Sequence, residues 1–159
     1  MIKPFFAGRF YEIEFESLKK QIESCYEGTL GPGSLPLKRG DKVLKGILVP
    51  HAGYVFSGSC AAWAYKLVAE AKFAKTYVLL CVDHYKRCKG VSTVLDDFET
   101  VFGVAQVDKQ LVQKLVDKRL VNVVDDVKEH SVEVQLPFLQ HACMDKLQSL
   151  KILPLIVND

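Results

Sequence analysis

A chain of 159 residues with 49% hydrophobic and 25% charged side chains is long enough for one domain with a real core, and its composition is that of an ordinary globular protein. Its 21 Lys and Arg against 19 Asp and Glu leave a formal charge of +2 with both signs interspersed, so there is no basic footprint for nucleic acid. No apolar run is long enough to span a membrane, and Met1-Ile2-Lys3-Pro4-Phe5-Phe6 lacks the apolar core of a signal peptide, so no membrane partner is expected and the expected location is cytoplasmic.

Residues 1–11 read as an extended arm ending in Gly8-Arg9-Phe10-Tyr11. A first helix is predicted from Glu12 to near Glu27, with Phe15, Leu18, Ile22 and Cys25 at three-or-four spacing and Gly28 as its stop. Gly28 to Gly40, with Gly-Pro-Gly, Leu-Pro and Lys-Arg-Gly, is expected to be a mobile surface loop. A strand is predicted at Val43–Val49, then a tight turn through Pro50-His51-Ala52-Gly53-Tyr54, then a helix from Ser57 to near Lys72. Its expected buried stripe is Cys60, Ala64, Leu67, Val68 and Ala71, with Trp63 off the stripe as the mark of a second contact surface. Thr76–Val82 is a near-continuous apolar run, suited to a strand buried on both faces, and ends at Asp83-His84-Tyr85 and a basic turn. Val91–Leu95 is a short strand, and Thr100–Gln106 a further short strand or turn. Asp108 caps a third helix with Leu111, Val112, Leu115 and Val116 inward, and Val121–Val124 is another short strand. A fourth helix starts near Ser131 and carries Val132, Leu136, Leu139, Cys143 and Leu147 on its apolar face. Pro137 should kink it, because proline cannot donate to the carbonyl of Glu133. Lys151–Val157 is the last strand. Strands alternate with helices, which predicts an α/β fold, a largely parallel or mixed central sheet flanked by helices, in a single domain over 1–159.

The five cysteines, Cys25, Cys60, Cys81, Cys88 and Cys143, are odd in number and contain no Cys-x-x-Cys, so neither a zinc ribbon nor a disulfide framework is indicated. Cys25, Cys60 and Cys143 fall on predicted apolar stripes and read as small buried hydrophobes. Of the four histidines, His51 and His84 directly follow apolar strands. If those strands are parallel neighbours, both imidazoles emerge at one sheet edge, where ligands bind in α/β proteins. They then form either a two-histidine metal site or two unrelated turn histidines. His130, in Glu129-His130-Ser131 at a helix start, is either a general base oriented by Glu129 or a local cap. Asp83 and Cys81 flank His84 and could add a carboxylate or a thiolate, although alternate strand residues point apart. Tyr54 could stack on or hydrogen-bond a ligand. His141 is expected to be solvated. No glycine-rich phosphate loop and no Gly-x-Ser-x-Gly is present.

Several blocks together resemble a known family. Ala7-Gly8-Arg9-Phe10-Tyr11 resembles an Ala-Gly-x-Trp-Tyr signature; Pro50-His51-Ala52-Gly53-Tyr54, with Ser57-Gly58, resembles a Pro-His-Ala-Gly-Tyr block. Glu99-Thr100, Gly103 and Val107-Asp108 match a further block, and Glu129-His130-Ser131-x-Glu133-x-Gln135-Leu136-Pro137 resembles a Glu-His-Ser block, with Ile152-Leu153-Pro154 after it. In order and spacing these look like the Memo-like family. The resemblance implies a fold related to class III extradiol non-haem iron dioxygenases and a metal, iron or copper, held by two histidines and a cysteine. The matching histidines here are His51 and His84, with His130 near the same cleft. Some members are described as metal-dependent redox proteins and others as binders of phosphotyrosine peptides.

Two departures qualify the resemblance. The usual Gly-Pro-Ser/Asn-His is here Cys81-Val82-Asp83-His84, which changes the turn and adds a charge. The chain also resembles only the first half of a family member and lacks the later Ser-Asp-Phe-x-His block and the ligand cysteine. The expectation is therefore the N-terminal portion of a split metal-binding redox or dioxygenase-like protein. Its two-histidine site would be partial, completed by a C-terminal-half polypeptide or by self-association, with metal-dependent oxidoreductase-like activity at most. The alternative is a non-catalytic subunit that binds a phosphopeptide or protein partner, for which Lys86, Arg87 and Lys89 would form a basic rim.

Overall fold

The computed structural model describes residues 1–125 and 127–158. The elements in chain order are α1 (Phe15–Glu27), α2 (Tyr54–Glu70), β1 (Tyr77–Val82), β2 (Val91–Thr93), β3 (Phe98–Thr100), β4 (Gly103–Val107), α3 (Lys109–Asp117), β5 (Asn122–Val123), α4 (His130–Glu133), α5 (Gln135–Ala142), a 3-10 turn (Met144–Ser149) and β6 (Lys151–Val157). The fold is α/β, with a mixed, open six-stranded sheet flanked by helices. No helix among the described residues is long and apolar enough to cross a membrane.

The last strand is the centre of the sheet. β6 takes β1 in parallel along its whole length, from Tyr77 opposite Ile152 to Val82 opposite Val157. Its other edge takes β4 in parallel at its start and β2 antiparallel at its end. β3 pairs with β4 through a turn closed by Gly103, whose φ of +107° suits glycine. β5 pairs with β2. Ile152 and Ile156 of β6 are fully buried, as a central strand requires.

α1 and α2 pack closely because Gly58 has no side chain: a Cβ there would stand 2.5 Å from Cys25 Sγ. Leu18, Ile22 and Tyr26 of α1, Tyr54, Ala62 and Tyr65 of α2, and Leu136 and Phe138 of α5 form the core on the helix side. Phe138 is its hub, 4.8 Å from the Tyr54 ring and stacked at 5.1 Å on Tyr65. Gly28 ends α1 and Asp108 caps α3 by accepting from the Leu111 N–H, both as the sequence predicts. The fourth predicted helix divides at Val134 into α4 and α5, at the carbonyl of Glu133 that Pro137 leaves without its donor.

Three expectations are corrected. Residues 43–49 form no strand: the apolar run is present, but no chain of the described residues supplies a backbone hydrogen-bonding partner, and the free edge of β1 is held off across a cavity of about 450 Å³. α2 starts at Tyr54 and buries Tyr54, Gly58, Ala61, Ala62, Tyr65, Val68 and Ala69, a stripe rotated from the predicted one, so Cys60 and Leu67 are exposed. Large aromatic residues, Tyr54 and Tyr65, set that face because Phe138 receives them. Finally, the loop at 28–40 is tied down. Trp63 Nε1 donates to the Leu30 carbonyl, and the Arg39 guanidinium donates to the carbonyls of Val68, Ala71 and Ala142 and pairs with Asp145, closing the C-terminal ends of α2 and α5.

Candidate metal centre

Three separate segments bring histidines to one place. His51 follows the unpaired segment 43–50, His84 lies just beyond the end of β1, and His130 opens α4. Their rings stand 5.0 Å apart for His51 and His84, 5.7 Å for His51 and His130, and 4.2 Å for His84 and His130. One ring nitrogen from each lies within 4.8 Å of the others, an arrangement that could hold a metal ion. Hydrogen bonds fix the backbone around all three. The Gln135 side-chain amide donates to the Pro50 carbonyl beside His51, and the Ser131 hydroxyl donates to the Val82 carbonyl at the end of β1. Phe6 and Phe10 pack on the His130 ring at 5.5 and 5.2 Å.

Glu129 orders the cluster. Its carboxylate is nearly fully buried and accepts the His84 Nδ1–H at 2.9 Å, the His84 backbone N–H at 2.9 Å and the Ser131 N–H at 2.9 Å. Burial alone would raise this carboxyl; the hydrogen bonds from Ser131 and His84 outweigh it and hold the group below the usual carboxylate range. Donation from Nδ1 leaves the His84 Nε2 lone pair for a ligand, the arrangement by which carboxylates orient metal-binding imidazoles. His130 Nδ1 lies 3.4 Å from Glu129 Oε1, within ion-pair range, yet it is buried without a hydrogen bond because that oxygen already receives two donors. Burial, and then the neighbouring His84 and His51, lower the His130 pKa against the pull of Glu129. A neutral imidazole with an orphaned buried nitrogen, beside two more imidazoles, is a donor set that fits a first-row transition metal.

A family model for Memo-like proteins matches residues 3–159. The chain belongs to the Memo-like family. It is 42% identical over 145 residues to a MEMO1 family protein of Methanopyrus kandleri, covering 87% of this chain and 50% of that one. Against MEMO1 family proteins of Methanothermobacter thermautotrophicus and Methanococcus maripaludis strain C6 the identities are 36% and 38%, with 52% and 55% of those chains covered and 87% and 96% of this one. This Memo-like chain thus spans about half the length of the relatives it matches.

The other candidate residues of the Memo-like chain are not part of the imidazole cluster. Tyr54 is 4% exposed; its hydroxyl donates to the Val134 carbonyl at 2.7 Å and its ring packs on Phe138, so it is core. Asp83 is buried and accepts from the N–H groups of Tyr85 and Cys88, building the turn that carries His84. Cys81 points to the helix side, 3.4 Å from the Ser131 carbonyl, and burial pushes its thiol up to about 12, which keeps it protonated. Cys60, expected in the core, is exposed beside a cleft of about 900 Å³ walled by Arg9, Phe10, Leu48, Phe56, His51 and His130. His141, expected in solvent, is largely buried and stacks on Tyr26, and desolvation takes its pKa down to about 4.

Glu133 and Gln135 are residues whose roles sequence reasoning missed. Glu133 accepts from the N–H groups of Phe5 and Phe6 and from the Tyr11 hydroxyl, at 2.8, 2.8 and 2.7 Å, and so pins the arm that carries Phe6 and Phe10 onto His130. The only signal for this was that both the Tyr11 and the Glu133 blocks belong to the family pattern.

Proposed function

We propose that this chain is the metal-bearing portion of a Memo-like protein, with His51, His84 and His130 as the ligands of one iron or copper ion and a second polypeptide walling the open side of the cleft. The observation that carries this reading is the convergence of three imidazoles, one of them oriented by the buried Glu129. An ion held by His51, His84 and His130 would supply Lewis-acidic and redox-active chemistry, as metal-dependent oxidoreductase-like activity needs. The protein groups divide the remaining work. Glu129 holds His84 in the Nδ1–H tautomer, Phe6 and Phe10 shield His130 from water, and the apolar walls of Leu48 and Phe56 would exclude solvent once covered.

Titration of the purified chain with Cu(II), followed by electron paramagnetic resonance, tests the ligand set. The expected result is one ion per chain with nitrogen hyperfine structure from three imidazoles, reduced to two in His51→Ala, His84→Ala and His130→Ala singly. The competing reading, a non-catalytic module for a phosphopeptide or protein partner, predicts no stoichiometric uptake of iron or copper and the same behaviour in all three variants.

A further inference from the structure

Residues 43–49 and β1 are the two walls of the cavity of about 450 Å³, and neither wall is finished as sheet. β1 is paired with β6 along one edge, so among the described residues the N–H and C=O groups of its other edge have no strand neighbour. Among the described residues none makes a hydrogen bond to the backbone of residues 43–49. The walls are nonetheless in phase. Ile47 and Val49 are half-buried against the core, with Leu48 between them 96% exposed; Leu79 and Cys81 face the core, with Leu80 between them 74% exposed. Both walls keep the two-residue period of a strand, with their inward side chains on the helix side.

We propose that this slot receives one β-strand of a second polypeptide, the portion of a Memo-length protein that this chain does not span. The strand pairs with β1 on one side and with residues 43–49 on the other. Two observations name the occupant. Among the described residues every strand is already hydrogen-bonded on at least one edge, and residues 43–49 are packed through Ile47 and Val49 against their own core, whereas the slot takes a strand free on both edges, so a second copy cannot fill it with an intact fold. About half the length of each relative also lies outside its match to this chain. The incoming strand is apolar on both faces. Its inward side chains meet Tyr65, Val68 and Leu139 at the floor, and its outward ones continue the strip of Leu48 and Leu80. Because His51 follows one wall and His84 the other, the inserted strand clamps together the two segments that carry these histidines. This deepens the proposed completion by a second polypeptide and rests on it, but not on metal binding.

The test mixes the chain with the portions of the Methanopyrus, Methanothermobacter and Methanococcus relatives that lie outside the match, one at a time, and follows amide hydrogen exchange. The expected result is a one-to-one complex with at least one of them, in which exchange at Tyr77–Val82 and at residues 43–49 slows by about tenfold or more. The double variant Val78→Lys/Leu80→Lys changes side chains of β1 that are exposed in the free chain and lie outside the cleft of the histidines, so it keeps the fold and the metal uptake while its complex weakens by about tenfold or more, since a lysine must be buried there. The inference is overturned by protection confined to the edges of β3 or β5, by a double variant that binds as well as the parent, by a homodimer that protects the same amides, or by no complex with any of the three. Metal uptake by the free chain, measured in parallel, fails separately: its loss with an intact complex removes the metal reading and leaves the slot standing.

Discussion

Glu129 and Glu133 stand one helical turn apart, are 4% and 5% exposed, and serve different ends. Glu133 takes its donors from the far end of the chain: two backbone amides and a phenol of residues 5–11. It is a staple between a terminal arm and a helix, and the Tyr11 hydroxyl it binds is pushed far up by burial and by the carboxylate itself. Glu129 takes its donors from the element beside it, and one of them is the ring of a histidine that faces two other histidines. Equal burial therefore says little about a carboxylate's role. The identity of its donors decides whether it fixes a chain or aims an imidazole.

The sharpest way to break this contrast is to truncate each glutamate. Glu133→Ala leaves two buried donors and a part-buried one without an acceptor, at roughly 1–3 kcal/mol for each buried group before relaxation, so a loss on the order of 4 kcal/mol is expected. For a chain of this size that lowers the melting temperature by about 10 °C, which calorimetry reads directly. Glu129→Gln retains one acceptor oxygen for the Ser131 or His84 N–H but loses the carboxylate that orients His84. Metal affinity is expected to fall by about 10–100-fold, with a smaller change in melting temperature than Glu133→Ala shows. If Glu133→Ala were instead to abolish metal uptake in a chain that remains folded, the two carboxylates would be one unit, and the division drawn here would fail.

The same block shows what could be read in advance. Alternating apolar runs and turns gave the α/β class, the caps at Gly28 and Asp108, and the break at Pro137, because each depends on residues close in sequence. His51 and His84 were legible as candidates because both follow apolar runs, and their rings do stand together. Donor geometry was not legible. That Glu129 would accept from His84, and Glu133 reach Phe5, Phe6 and Tyr11, depends on contacts across 45 to 128 residues. His141 misled for a similar reason: one helical face reads as solvent until α1 brings Tyr26 against it. The strand expected at 43–49 has the right composition, but a strand is a pairing, and no local pattern can state whether the partner is in the same chain.

The smallest effect is a dependence on pH, and it carries the most detailed sign. Glu129 is held below its ordinary value of 4.5, so its contribution to stability is present above that pH and is lost as the pH falls through the folded-state value. His130 is held below its ordinary 6.5, so it too favours the fold above that pH, and protonation of the unfolded chain withdraws this stability as the pH falls. The Glu129 charge opposes the depression of His130. In Glu129→Gln that opposition is gone, His130 is depressed further, and the variant loses more stability than the parent as the pH drops below 6.5. Below 4.5 the order reverses, because the parent is then losing what its carboxylate contributed and the variant has no such group to lose. Asp108 and Asp145, lowered by the Thr76 hydroxyl and by the Arg39 guanidinium respectively, titrate in both proteins and cancel in the difference. Urea midpoints measured in the metal-free state from neutral pH to acid should therefore give a difference between parent and variant that widens and then narrows. A difference that stays flat would make Glu129 a neutral acceptor, a staple of the Glu133 kind, and the electrostatic tie between it and His130 would be absent.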